Sequence, residues 1–358
     1  MRDRAISRNL IQTKRSSRVA QVFQRSTATI LAVLVVQFHA SAQSPEPSVP
    51  PINITIPEAP PAAEEGDGRK TLGGFQLFTD ELFFRGYRIQ RHAIIGHHRL
   101  IDPEDRRLTF GSFQTCQDKL EEIKREKGLE PMSGRALVLL HGLGGWRGTM
   151  QPVADFVAAA KPYTIVNLNY ASTRESLADH ARGLASVLSH LDGITDIDIV
   201  AHSMGNLVVR RYLRDATENG GTSDPRIRRM VMLAPPNHGA TLASDLSSSE
   251  IVQLVFGDAV GELGQDWSKV EATLATPTFE FGIIAGGRGT SDGNSGFLAG
   301  DDDGLVDVAT TQLSGAADFL ILPTRHNVML ISPSAQEHTL RFLEHGYFTS
   351  ADAKHPIP

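Results

Sequence analysis

Cysteine is almost missing from this chain. Cys116 is the only one in 358 residues, so neither an intrachain disulfide nor a cysteine-rich metal site is open to it. A surplus of basic charge is missing as well: the formal net charge is −6. A protein that holds nucleic acid presents a basic face on its folded part, and nucleic acid is therefore excluded as a partner. No apolar run reaches the ~20 residues that a membrane-spanning helix needs. What is left is the composition of an ordinary globular protein, 41% hydrophobic and 21% charged, with length enough for one large domain or two smaller ones.

The first residues read as an export signal. Arg2, Arg4, Arg8, Lys14, Arg15, Arg18 and Arg25 precede the apolar run Ala28–Phe38, which ends in Ala40, Ser41 and Ala42. Basic, then apolar, then small is the order of a secretory signal. Residues 1–42 are thus expected to be a signal peptide cleaved after Ala42, and the protein to be periplasmic or extracellular, or membrane-anchored if the signal is retained. The long leader, rich in Ser and Arg, also has the composition of a mitochondrial presequence. Residues 43–70 carry Pro45, Pro47, Pro50, Pro51, Pro57, Pro60 and Pro61 and read as an extended, solvated linker. The folded domain is expected over 71–350, with 351–358 a tail.

Short β-like runs around Tyr87–Ile95 and a charged helix over Gln117–Glu126 read as the opening strands and first helix of that domain. From Arg135 onward the pattern alternates. Ala136–Leu140 is continuously apolar, as a strand buried on both faces must be, and a helix over Gln151–Ala160 follows. After a strand at Thr164–Tyr170, Leu177, Ala181, Leu184, Leu188 and Leu191 form one apolar helical stripe. Strand Asp196–Val200, helix Leu207–Leu213 and strand Arg229–Leu233 come next, the last closed by Pro235 and Pro236. Residues 237–278 break the rhythm and read as a cap insertion, with helices around Ile251–Phe256 and Trp267–Leu274. Strands at Phe279–Gly286 and Phe319–Leu322 resume it. A capping box of Ser334 and Glu337, with Gly346 past the end, marks the last helix. The expected class is α/β: a mostly parallel, doubly wound sheet with a short helical cap insertion and its site at the carboxyl ends of the strands.

One stretch carries chemistry. Within Ile197–Arg210 a strand runs into Ser203 and out into a helix, and Ala201 and Gly205 are small enough for a sharp turn that lifts the hydroxyl clear. A serine nucleophile needs a base, a carboxylate that orients the base, and N–H donors for the oxyanion. His326, between the last strand and the last helix, is the candidate base. Among Asp301, Asp302, Asp303 and Asp307, Asp303 is the candidate carboxylate, because Gly304 permits a tight turn and Leu305 and Val306 anchor it. The donors are expected to be the amides of Met204, at the start of the helix, and Leu143, in the glycine-rich loop 141–145. Three adjacent carboxylates at 301–303 raise calcium as an alternative, but a calcium site needs six to eight placed oxygens, and no metal is assigned. His141 and His202 are read as structural, and His97 and His98 lack further ligands at zinc spacing.

These motifs resemble those of the α/β-hydrolase superfamily, and within it the bacterial lipases and carboxylesterases: His-Gly-Leu-Gly-Gly at 141–145, Ala-His-Ser-Met-Gly at 201–205, Asp-Gly-Leu-Val at 303–306, and His326, in that order. The elbow with Ala201 is similar to that of the small Bacillus lipases, and Pro235 to Gly239 to a Pro-x-x-Gly segment found in many lipases. Lipases of the Pseudomonas and Burkholderia type place a calcium-binding Asp just after the catalytic His, whereas Asn327 and Val328 follow His326 here. The resemblance implies an ester hydrolase with Ser203, His326 and Asp303 as its triad, no cofactor, and a small-molecule or lipid acyl ester as substrate, with transient contact to a lipid interface. The same constellation serves thioesterases, amidases and acyltransferases, and the fold also serves as a non-catalytic binding module at the cell envelope.

Overall fold

Alternation decides which way each central strand faces. In β6 (Gly134–Leu140), Leu137 and Leu139 are buried in one apolar cluster while Ala136, Val138 and Leu140 are buried in another. A strand whose successive side chains point to opposite faces and are all apolar must be covered on both. This computed structural model describes residues 64–65, 68–218, 220–239, 267–295, 298 and 300–358. The expected signal peptide, most of the expected linker and the expected helix at Ile251–Phe256 lie outside them.

Besides β6, the main sheet contains β7 (Thr164–Asn167), β8 (Ile194–His202), β9 (Ile227–Leu233), β10 (Glu280–Gly287) and β11 (Asp318–Pro323). All six strands are parallel, in the order β11-β10-β9-β8-β6-β7. One face is covered by α2 (Arg147–Ala160), through Met150, Val153 and Val157, and by α7 (Pro333–His345), through Phe342 and Leu343. The other is covered by α3 (Leu177–Ser189), through Ala181, Leu184 and Leu188, and by α4 (Met204–Glu218), through Leu207 and Val208. After β6 the chain adds β7 on one side and β8 on the other, so the order reverses between β6 and β8, where a doubly wound sheet opens a crevice at its carboxyl edge.

The opening strands do not join this sheet. β1 (Glu64–Glu65), β2 (Phe78–Phe84), β3 (Tyr87–His92), β4 (His98–Ile101) and β5 (Arg107–Gly111) form a separate antiparallel sheet in the order β1-β5-β4-β3-β2. It is backed by α1 (Phe113–Glu126) and packs against α3, its Leu82, Ile89 and Leu100 sharing the apolar cluster of α3 and α4. Its interior is partly polar. Gln90 donates to Asp80 (2.6 Å) and accepts from Arg99 (3.0 and 2.8 Å), and Arg88 pairs with Asp105 (2.5 Å). Burial raises the pKa of Asp80 above the usual carboxylate range and lowers that of Arg99 to about 10.

Two boundaries differ from expectation for local reasons. The last helix is capped by Ser332, not Ser334: its hydroxyl accepts from the amide of Ala335 at 3.4 Å, and Pro333, with φ already fixed, occupies the first turn. Gly346 closes that helix at φ +73°. Strand β7 stops at Asn167, and Asn169 beyond it turns its side chain to the carbonyls of Phe75 and Phe78 (both 2.8 Å) instead of continuing the ladder. No helix among the described residues is long and apolar enough to cross a membrane.

Candidate active site

Ser203 ends β8 at φ +53°, a left-handed conformation unusual for a side chain with a Cβ. Its neighbours impose it. The Ser203 amide donates to the carbonyl of Leu233 on β9 (2.9 Å), while the buried Asn206 side chain donates to the carbonyls of Ser203 (3.0 Å) and Leu233 (3.3 Å). Small residues are needed around it for distinct reasons. Ala201 lies fully buried between Leu140 and Met232 in the sheet. A Cβ on Gly205 would stand 2.8 Å from the carbonyls of both Leu140 and His141, and a Cβ on Gly142 would stand 3.0 Å from that of Ser203. The glycine loop after β6 therefore lies directly against the serine.

Asp303 and His326 arrive from loops after β10 and β11. Asp303 is 1% exposed. Its Oδ1 accepts the amides of Leu305 (3.0 Å) and Val306 (2.8 Å), its Oδ2 accepts His326 Nδ1 at 2.7 Å, and its carbonyl accepts the amide of His326 at 3.0 Å. Gly286 on β10 makes the room, since a Cβ there would meet that of Asp303 at 2.7 Å. Because Nδ1 donates to a carboxylate, the imidazole keeps Nε2 free to accept a proton. The His326 ring lies 4.7 Å from that of His202, the residue preceding Ser203.

The rest of the acidic run is occupied with backbone. Asp301 accepts the amides of Arg288 (2.6 Å) and Gly289 (2.8 Å), and Asp302 those of Gly304 (2.6 Å) and Ser295 (3.2 Å). Asp307 caps the short helix α6 (Val308–Thr311) through the amide of Ala309 at 3.0 Å. Among the described residues no three His, Cys, Asp or Glu side chains stand together as metal ligands.

Three further histidines are buried: His141 in the glycine loop, His202 before the elbow, and His180 behind Tyr170. His141 stacks on Tyr170 with ring centroids 4.0 Å apart, its Nδ1 reaches the carbonyl of Gly142 at 2.8 Å, and burial pushes its pKa down to about 4. Burial likewise depresses His180 to about 3 and holds His202 well below its ordinary value, the latter helped by His326 beside it. All three are neutral packing elements near pH 7. His238, in contrast, meets Glu271 at 2.7 Å on the surface.

Of the expected donors, Met204 opens α4, where the first amides have no intrahelical partner. Leu143 sits in a turn closed by Gly145 N–H to Gly142 O (3.1 Å), with the Gly144 amide on Ser172 Oγ (3.0 Å). Three contacts near the site had no local sequence signal. Gln76 and Ser172 touch the glycine loop from outside it. Arg210, 3% exposed, donates to the carbonyl and side chain of Asn237 (3.0 and 3.1 Å) and to the carbonyl of Ala275 (3.1 Å). Those two residues bracket the middle of the expected insertion, of which 240–266 lie outside the described residues. Trp267, opening the short helix α5 (Trp267–Glu271), packs on Gly239 across the same base.

A family described as "Domain of unknown function (DUF7379)" matches residues 105–262. No curated protein matches the chain. Similar solved structures include the lin2722 gene product of Listeria innocua, at 19% identity over 61% of this chain and 96% of that one, with a TM-score of 0.43. The mature Bacillus licheniformis lipase BlEst2 is similar at 16% identity over 60% and 94% (TM-score 0.42). Phospholipase PlaB of Legionella pneumophila is similar at 17% over 61% and 59% (TM-score 0.41). The strand order of the chain's own parallel sheet, with Ser203 on the turn out of β8 and Asp303 and His326 on the loops after β10 and β11, gives it the α/β-hydrolase fold.

Proposed function

We propose that this protein is an exported serine hydrolase of carboxylic esters, of the lipase or carboxylesterase type. The observation that carries the proposal is the Asp303–His326 pair at 2.7 Å, buried beside a serine held at φ +53°. In this reading Ser203 Oγ attacks the ester carbonyl while His326 Nε2 takes its proton. Asp303 holds the ring in the right tautomer and stabilises the imidazolium. The amides of Met204 and Leu143 receive the oxyanion. The tetrahedral intermediate expels the alcohol, which takes the proton from His326 and leaves an acyl-serine. Water, deprotonated by the same histidine, then releases the acid and restores the hydroxyl. This reading calls for water and the chain's own groups, and assigns no cofactor. Its substrate is a small or lipid acyl ester. Export rests on the basic, apolar, small order of residues 2–42, and a secreted protein beginning at Gln43 is the result that supports it.

The test is turnover of a panel of p-nitrophenyl acyl esters with Ser203→Ala, alongside labelling by a fluorophosphonate. Wild type is expected to hydrolyse and to be labelled at Ser203, and the variant to lose turnover by several orders of magnitude while its circular dichroism is unchanged. Equal turnover by the two proteins, or labelling elsewhere, sinks the proposal.

A further inference from the structure

The glycine loop that follows β6 has little stiffness of its own. Glycines at 142, 144 and 145 are conformationally permissive, and Gly144 sits at φ +66°. Yet an oxyanion donor stabilises a transition state only if it is already aimed when charge develops. Something outside the loop must hold it, and two segments reach its outer side, one leading into β2 and one following β7. Gln76, in the segment leading into β2, donates through Nε2 to the carbonyl of Gly145 and to Ser172 Oγ (3.1 Å). Its Oε1 accepts the amide and the hydroxyl of Thr173, each at 2.9 Å. Because the Thr173 amide is a donor and the Gly145 carbonyl an acceptor, the side-chain amide has one orientation only. Ser172, buried to 2% exposure, accepts in turn the amide of Gly144 at 3.0 Å.

The base of this brace is fixed as well. Asn169 Nδ2 holds the carbonyls of Phe75 and Phe78, on either side of Gln76, and the Asn169 amide donates to the buried carboxyl of Asp80 at 2.8 Å. Just beyond the loop, Arg147 pairs with Asp105, which also receives Arg88. Gly144 and Gly145, which follow Leu143, are thus held by Ser172 and Gln76, and Gln76 lies in a segment tied through Asn169 to the start of β2.

We propose that Gln76, acting with Ser172, is a positioning residue that holds the Leu143 amide in its oxyanion-binding orientation, so that the antiparallel sheet serves the reaction as the backing of the oxyanion loop. The proposal rests on the ester hydrolase reading above. Oxyanion contacts act in the transition state more than on bound substrate, so losing the brace lowers kcat and spares KM.

The experiment compares wild type with Gln76→Ala, Gln76→Glu and Ser172→Ala, each checked for folding by circular dichroism and melting. Gln76→Glu keeps the acceptors for Thr173 but loses both donors. Expected are a fall in kcat of about tenfold or more with KM within about twofold, and faster amide hydrogen exchange across 142–146. The Gln76→Ala/Ser172→Ala double variant is expected to lose less than the product of the single losses, as members of one network do. A folded Gln76 variant with unchanged kcat, or with unchanged exchange across 142–146, overturns the proposal. A loss confined to KM overturns it too. Should wild type show no more ester turnover than Ser203→Ala, the hydrolase reading falls, and exchange alone decides whether Gln76 braces the loop.

Discussion

Replacing Asp303 by Asn keeps the side chain's shape and inverts one donor. Leu305 and Val306 both donate backbone N–H groups to Oδ1, at 3.0 and 2.8 Å. In the variant only the amide oxygen can occupy that position, and the NH2 group must then face His326 Nδ1, where Oδ2 now accepts at 2.7 Å. His326 has to accept at Nδ1, which puts its proton on Nε2 and removes the lone pair that takes the proton of Ser203 in the proposed mechanism. Such a wrong tautomer costs a serine hydrolase about ten-thousandfold in kcat, near 5 kcal/mol of transition-state stabilisation. The fold is expected to survive, because both backbone bonds to Oδ1 are kept. Asp303→Ala, by contrast, strands the buried amides and is expected to cost about 1–3 kcal/mol of stability. The assay is kcat on a p-nitrophenyl ester at pH 8, with melting curves for both variants. An Asn variant within tenfold of wild type refutes the orienting role of Asp303.

Two further outcomes follow from groups outside the triad. His141 and His180 have folded-state pKa values of about 4 and about 3, below the ordinary 6.5. Below pH 6.5 the unfolded chain therefore binds more protons, and stability falls with pH through the interval down to about 4 for His141 and about 3 for His180; at about 1.4 kcal/mol per unit, the share of His141 is on the order of 3 kcal/mol. Urea midpoints between pH 7 and 4 are expected to drop in wild type and to drop less in His180→Phe, and identical profiles count against this assignment. Arg210→Met leaves the carbonyls of Asn237 and Ala275 without their buried donor, and a loss of about 2–4 kcal/mol in a denaturant melt is expected. A loss below about 0.5 kcal/mol shows the clamp to be dispensable.

The alternation that makes Leu137 and Leu139 face one way and Val138 and Leu140 the other is written in adjacent residues, and so the parallel sheet is readable from β6 onward. The contact of Asp303 with His326 is readable for a related reason. Chain order sets a carboxylate loop before a histidine loop on neighbouring strands, and Gly304 marks the tight turn. The antiparallel sheet is less readable. Arg88, Gln90 and Arg99 look like the solvent side of half-exposed strands, and only the fold reveals that they are buried against Asp80, Asp105 and one another. Gln76 meets Gly145 and Ser172 across 69 and 96 positions, and no local pattern can announce such a pairing. At the last helix the Ser334–Glu337 spacing competes with Pro333, and the rigid φ of proline places the cap two residues earlier.

The base where Arg210 ties Asn237 to Ala275 also makes the fold modular. A segment whose two ends are already fastened together presents the sheet with the same closed boundary whatever its interior contains. Lengthening it costs only a logarithmic loop-closure entropy, about 0.6 kcal/mol for each doubling. An exchange of the residues between Gly239 and Trp267 is accordingly expected to leave Ser203, Asp303 and His326 in their positions.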